Sequence, residues 1–478
     1  LVTYGQTATS ILDMDATQIA ELIAARKMTS REAVEQYIAH IKRINPLVNG
    51  LVENRFAAAL EEAEEADRKI AQNEAAGRLL GVPITIKEAF DVTGMQTTGG
   101  LLRRKGFVQH RDAEAVRRLK AEGAIVLGKT NTPELCFCQE TDNKLYGRTN
   151  NPYDLTRTAG GSSGGEAAMI AAGAAAAGLG SDIGGSIRFP SHFNGVVGFK
   201  SGNGQVSAKG SYPKVEHELQ SRMLGIGPIV KSVRDARLLY NIVAKKPAPE
   251  KQLGKFTFNV LPKTAYPLSP ATAHLLDSIY ADLLQEFDAE REVPPYFEES
   301  AQIWQEIMSI GGAEGPRQEA FGGPSGLPMQ AYVKERLTGK ADIHKYLSWA
   351  LVGAGLFKPT PRRLKKIHKA IRHGDHILDG YLHQHILVMP VYHTGAPKHG
   401  MMYSEIFSIK KTYQVFMPYT AYANVWGLPA LTVPIGEDEN GMPVGVQLIS
   451  KNGNEAALFS LGEWLEAHYG GYRRAQLQ

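Results

Sequence analysis

Two short runs of glycine and serine carry the strongest chemical signal in this chain. Gly160-Gly161-Ser162-Ser163-Gly164-Gly165 and Gly180-Ser181-Asp182-Ile183-Gly184-Gly185-Ser186 set hydroxyls beside bare backbone. Opening a resonance-stabilised amide without a metal needs an activated nucleophile, donors for the developing oxyanion and an acid for the leaving amine. Gly184 and Gly185, just ahead of Ser186, leave backbone N–H groups free to converge on one small volume, as an oxyanion hole requires. A serine is inert at its free pKa, so a base must lie in reach, and no Gly-x-Ser-x-Gly elbow with a downstream Asp and His surrounds these serines. A lysine serves once burial or nearby positive charge brings its pKa down from about 10.4. Lys87 directly follows the apolar positions Val82, Ile84 and Ile86 and can be buried in that way. Spacing along the chain leaves open which base is used. Taken alone, Lys87 reads as a solvated strand-end lysine and the Gly/Ser pairs as turns; only their joint occurrence reverses that reading.

The elements around these runs alternate as in an α/β fold. Asp15 caps one helix, and Thr29 with Glu32 forms a capping box for a second that breaks at Pro46. A third helix covers 55–70. A strand at 82–86 leads to Lys87, a loop at Thr97-Thr98-Gly99-Gly100 follows, then a helix at 113–122 and a strand at 124–127. The Ala-rich stretch 167–180 is too short to span a bilayer and reads as a buried core helix. Beyond Ala244 the chain becomes more charged and helical, with Ser269-Pro270 as a helix start and a long polar helix over 361–385. Core-like strands return at 428–435 and 444–449. No linker or internal repeat divides the chain, so the expectation is a single domain over 1–478, with 245–410 as a divergent, mainly helical substrate-covering insertion.

At 478 residues, 43% hydrophobic and 21% charged, the composition is that of a globular protein large enough to bury a site completely. Fifty-three basic against 49 acidic residues leave +4, and the densest basic group, Arg362, Arg363, Lys365, Lys366 and Lys369, reads as one solvated helix face. Nucleic acid is therefore not the expected partner. Cys136 and Cys138 form no disulfide framework, so a reducing, cytoplasmic compartment is the default. Residues 1–8 lack a charged start followed by an apolar segment, so no signal peptide or membrane anchor is expected there. Gly123-Ala124-Ile125-Val126-Leu127-Gly128-Lys129-Thr130 fits the phosphate-loop template formally, but its apolar interior places a strand where an exposed loop must be. His368, His373, His376, His383 and His385, with Asp375 and Asp379, follow the polar side of a helix rather than a metal-ligand pattern. No metal and no cofactor are expected.

The two Gly/Ser runs, the second extending to Ile187-Arg188, resemble the amidase signature almost residue for residue. The likeness includes Gly81-Val82-Pro83-Ile84-Thr85-Ile86-Lys87-Glu88, Gly128-Lys129-Thr130-Asn131, Gly427-Leu428-Pro429-Ala430 and Pro443-Val444-Gly445-Val446-Gln447. It is good over 10–245 and 415–470, and poor over 245–400. Within the family, Asn131-Thr132-Pro133-Glu134-Leu135 and Tyr146-Gly147-Arg148-Thr149-Asn150-Asn151-Pro152 look most like fatty-acid amide hydrolase-like and bacterial amidases. The resemblance implies an α/β/α sandwich around a mixed, twisted β-sheet. It also implies a Ser-Ser-Lys triad: Ser186 attacks the amide carbonyl, Ser162 relays the proton, and neutral Lys87 is the ultimate base. Ile183, Gly184, Gly185 and Ser186 would supply the oxyanion hole, and the peptide bond entering Ser162 would be cis. Cys136, Cys138, Ser162 and Ser163 would border the substrate. The implied partner is a small-molecule amide, met by a monomer or homodimer. A glutaminase-type subunit of a tRNA-dependent amidotransferase shares the signature and is the alternative.

Overall fold

Alternation along the strands shows how this chain builds two covered faces. In β9 (His385–Pro390), Ile386 and Val388 enter one hydrophobic cluster while Leu387 and Met389 enter another. β10 (Ala430–Glu437) and β11 (Pro443–Ile449) divide in the same way: Leu431, Val433, Val446 and Leu448 go to the first cluster, Ala430 and Ile449 to the second. Side chains two apart share a face, so each cluster is one side of a sheet. Helices Val233–Val243 and Glu455–Tyr469 bury residues in the first cluster; Pro361–Tyr381 and Pro418–Val425 do so in the second. The result is an α/β/α sandwich.

The computed structural model describes residues 10–74, 76–406 and 412–477. Residues 1–8, read above for a targeting segment, and the end of the 245–410 stretch lie outside them. Among the described residues, eleven strands form one mixed sheet. The others are β1 (Leu51–Asn54), β2 (Pro83–Lys87), β3 (Ile125–Thr130), β4 (Ala177–Asp182), β5 (Val197–Lys200), β6 (Gly225–Val230), β7 (Thr257–Val260) and β8 (Ala289–Glu290). Their order is β1-β3-β2-β4-β6-β5-β10-β11-β9-β7-β8. β2 lies between β3 and β4, parallel to both, whereas β4 pairs antiparallel with β6. β2, β3 and β6 are buried along their whole length, as strands covered on both faces must be. Among the described residues no helix is long and apolar enough to cross a membrane.

The capping expectations at Asp15, Thr29 and Ser269 are met, each side chain accepting from the N3 amide. Four boundaries differ. The second helix runs through Pro46 to Val48; a proline in the last turn forfeits one hydrogen bond, and left-handed Asn49 ends the helix just beyond. The Ala-rich stretch is a helix (Gly164–Ala171), a turn and then β4, because composition alone cannot separate a buried helix from a buried strand. β3 continues through Gly128, Lys129 and Thr130, so those residues form no phosphate loop. The polar helix stops at Tyr381, and His385 opens β9. The 245–410 stretch adds β7, β8 and β9 to one end of the sheet as well as its helices.

Candidate active site

The sheet delivers Lys87 to the site from the last position of β2, fully buried. Its Nζ donates to Ser162 Oγ at 2.6 Å and to Ser181 Oγ at 3.1 Å. Burial lowers the Lys87 pKa below the ordinary lysine value. The Cys136 thiol beside it, then Asp182 and Glu166, act in the opposite direction without cancelling that effect. Glu166 lies on the first turn after Ser163, accepting from Thr130 Oγ1 at 2.8 Å and from Thr85 Oγ1. Burial pushes its carboxyl up to about 7, against the pull of those hydroxyls and of Lys87.

Ser162 follows a cis peptide bond from Gly161. Any Cβ at Gly161 would stand 2.6 Å from the Cys138 carbonyl oxygen, so glycine is what lets the 138–140 loop close over this turn. The Ser163 amide donates to the Ser186 carbonyl at 3.1 Å, joining the two Gly/Ser runs. Ser162 and Ser186 open onto one cavity of about 620 Å³, which Cys136, Cys138, Trp304 and Phe357 also line.

The turn that carries Ser186 is held by a buried carboxylate. Asp182 accepts from the amides of Gly185 at 2.8 Å and Ile187 at 3.1 Å, and from Arg188 Nε at 3.0 Å and Asn424 Nδ2 at 2.9 Å. Burial alone would raise its pKa, but the charge and hydrogen bonds of Arg188 outweigh it and hold the carboxyl well below the usual range. Arg188 reaches on to Thr420 O at 2.9 Å and Gln447 Oε1 at 2.8 Å. The Gly185 amide, expected among the four oxyanion donors, is instead committed to Asp182. Among the described residues, the amides of Ile183, Gly184 and Ser186 have no hydrogen-bond acceptor. The Ile183 carbonyl accepts from Trp304 Nε1 at 2.7 Å and the Gly184 carbonyl from Gln139 Nε2 at 3.3 Å. Such an arrangement offers a hydroxyl nucleophile, a second hydroxyl on an amine of lowered pKa, and amide donors in one enclosed volume.

All the residues singled out from the sequence meet here: Lys87, Ser162, Ser163, Ile183, Gly184, Gly185 and Ser186, with Cys136 and Cys138 on the cavity wall. The histidine-rich helix does not reach the site. Its Asp375 pairs with Arg222 and its Asp379 with Lys451, while His385 stacks on Tyr381. Sequence reading missed the anchoring by Asp182, although that residue stands inside the motif, and missed Gln139, one position past Cys138. Trp304 gave no signal, since it lies in the stretch of poor resemblance.

Comparison with known proteins identifies the family. The family model described as Amidase matches residues 32–295 and 358–459. Fatty-acid amide hydrolase 2-B of Danio rerio is 34% identical, over 97% of this chain and 90% of its own length. A glutamyl-tRNA(Gln) amidotransferase subunit of Clostridium acetobutylicum is 29% identical, over 95% of this chain and 99% of its own. Among solved structures, 6-aminohexanoate cyclic dimer hydrolase complexed with substrate superposes with a TM-score of 0.82 at 26% identity, over 98% of this chain and 99% of that one. Nearly the whole length is shared with amide-cleaving relatives, and the chain belongs to the amidase signature family, as an amide-hydrolysing enzyme.

Proposed function

We propose that the protein hydrolyses a small-molecule carboxylic amide through an acyl-enzyme on Ser186. The observation that carries this reading is the fully buried contact of 2.6 Å between Lys87 Nζ and Ser162 Oγ, in the cavity that also holds Ser186. Ser186 Oγ attacks the carbonyl carbon while its proton passes to Ser162, whose own proton goes to neutral Lys87. The amides of Ile183, Gly184 and Ser186 receive the oxyanion, and the Gly185 amide, held by Asp182, fixes the turn. When the tetrahedral intermediate collapses, Lys87 returns its proton through Ser162 to the leaving nitrogen. Water then enters by the same relay and releases the carboxylate.

The 245–410 stretch acts in this reading as the substrate cover, because Trp304, Met308, Trp349, Val352 and Phe357 supply much of the cavity wall. Cys136, Cys138 and Ser163 border the reacting carbonyl. This apolar lining favours an apolar acyl or aryl amide over glutamine, in keeping with the names of the fatty-acid amide hydrolase relatives. The amidotransferase alternative predicts the opposite preference.

A serine-directed fluorophosphonate tests the mechanism without a guess at the substrate. Intact mass should show one adduct on the wild type, none on Ser186→Ala, and slowed labelling of Lys87→Ala. An adduct retained in Ser186→Ala refutes the assigned nucleophile. Amine release from a panel spanning alkyl, aryl and long-chain amides and glutamine then reads the substrate class.

A further inference from the structure

We infer that Trp304 is a positioning residue for amide hydrolysis, its indole N–H setting the direction of the Gly184 amide in the oxyanion-binding turn. The inference rests on the Ser186 reading above and adds a residue from outside the signature motifs. A peptide unit is planar, and in the trans form its carbonyl and the following N–H point opposite ways. Fixing the Ile183 carbonyl therefore fixes the Gly184 N–H. That carbonyl is held by Trp304 Nε1 at 2.7 Å. The neighbouring peptide is fixed separately: the Gly184 carbonyl accepts from Gln139 Nε2, and the Gly185 amide donates to Asp182.

Two further observations place the indole in a working position. A Cβ built on Gly184 would come within 2.4 Å of the Trp304 ring, so the N–H edge of the indole packs directly against the turn, and only glycine at 184 leaves it room. Trp304 also lines the cavity, so the residue that holds the turn also borders the space where substrate would bind. Its helix, Ser300–Met308, is held by contacts of its own, one to the core and one to a neighbouring helix of the cover. Trp426 Nε1 donates to Ser300 Oγ at 3.0 Å, and Arg363 pairs with Glu306 at 2.8 Å. The cover helix thereby fixes part of the catalytic geometry as well as enclosing the substrate.

The test separates orientation of an oxyanion donor from simple cavity lining. An alkyl trifluoromethyl ketone forms a hemiketal oxyanion on a serine, whereas the corresponding secondary alcohol fills the cavity without one. Trp304→Phe should lower kcat by about 10- to 100-fold, a fraction of the loss typical for removing a whole oxyanion-hole donor, with KM within about twofold of wild type. The ketone should weaken by the same factor as kcat and the alcohol should not. Site-specific replacement of Trp304 by 3-benzothienylalanine, which keeps the ring shape and lacks the N–H, should reproduce the effect if phenylalanine loosens the helix. Ketone and alcohol weakened equally, or neither weakened, overturns the inference. Tight ketone binding by Ser186→Ala instead overturns the nucleophile assignment itself, a distinct result.

Discussion

Replacing Asp182 by asparagine removes a charge from the best-buried ion pair in the site while preserving side-chain shape. Asp182 and Arg188 are both inaccessible to solvent. Breaking such a pair generally costs about 3–5 kcal/mol, because the surviving charge stays desolvated. Arg188 keeps Thr420 O and Gln447 Oε1 as acceptors, which puts the expected loss at the lower end, about 3 kcal/mol. The Asn amide nitrogen also presents a donor where Asp182 accepts, against the guanidinium or the backbone amides of Gly185 and Ile187. With a urea dependence of about 3 kcal/mol per molar or more, since the slope grows with chain length, the unfolding midpoint should fall by up to about 1 M. Equilibrium unfolding followed by tryptophan fluorescence measures it. The double variant Asp182→Asn/Arg188→Gln should show coupling of about 1–3 kcal/mol relative to the two singles. A midpoint within about 0.3 M of wild type, or additivity in the double variant, would refute the view that this pair anchors the Ser186 turn.

The remaining expectations concern pH and chain length. In the proposed mechanism Lys87 acts as the neutral amine, so kcat/KM should rise as pH climbs through a lysine pKa that burial has lowered. Glu166 favours the ammonium form; Glu166→Gln removes that negative charge, while Asp182 and Cys136 remain, and the rising limb moves to lower pH. A kcat/KM profile from about pH 6 to about pH 10 reads this, and a limb that moves upward or stays put contradicts it. Gly353 lines the cavity from helix Lys345–Leu356, and a Cβ there meets nothing within 4 Å. Gly353→Leu therefore occupies cavity space without distorting the helix, raising KM for a long-chain amide by about tenfold over a short one; equal effects on both would contradict that placement.

What the sequence made legible follows from how local each determinant is. A hydroxyl on a glycine-flanked turn, a lysine closing an apolar strand and the caps at Asp15, Thr29 and Ser269 are written within a few residues. The identity of these groups was readable, and the resemblance brought them together. Strand order was not readable: β9 inserts between β7 and β11 although about 125 residues separate it from β7. Pairings over such separations leave no periodicity to detect. The same holds for Trp304, whose role comes from the backbone it faces and not from its neighbours in sequence. At Ala167–Gly180 the failure is of another kind, since small apolar residues satisfy helix and strand equally and only the turn between them decides.

The reach of Arg188 has a consequence for synthesis of the protein. Lys87, Ser162 and Ser186 all lie in the first half of the chain, yet the turn bearing Ser186 is fastened through Arg188 and Asp182 to Thr420, Asn424 and Gln447. A nascent chain still short of Gln447 carries all three of these side chains without the full set of ties that hold the turn. On the mechanism proposed above, the turn that carries the nucleophile is therefore complete only once the chain has been made as far as the strand that supplies Gln447, the penultimate element.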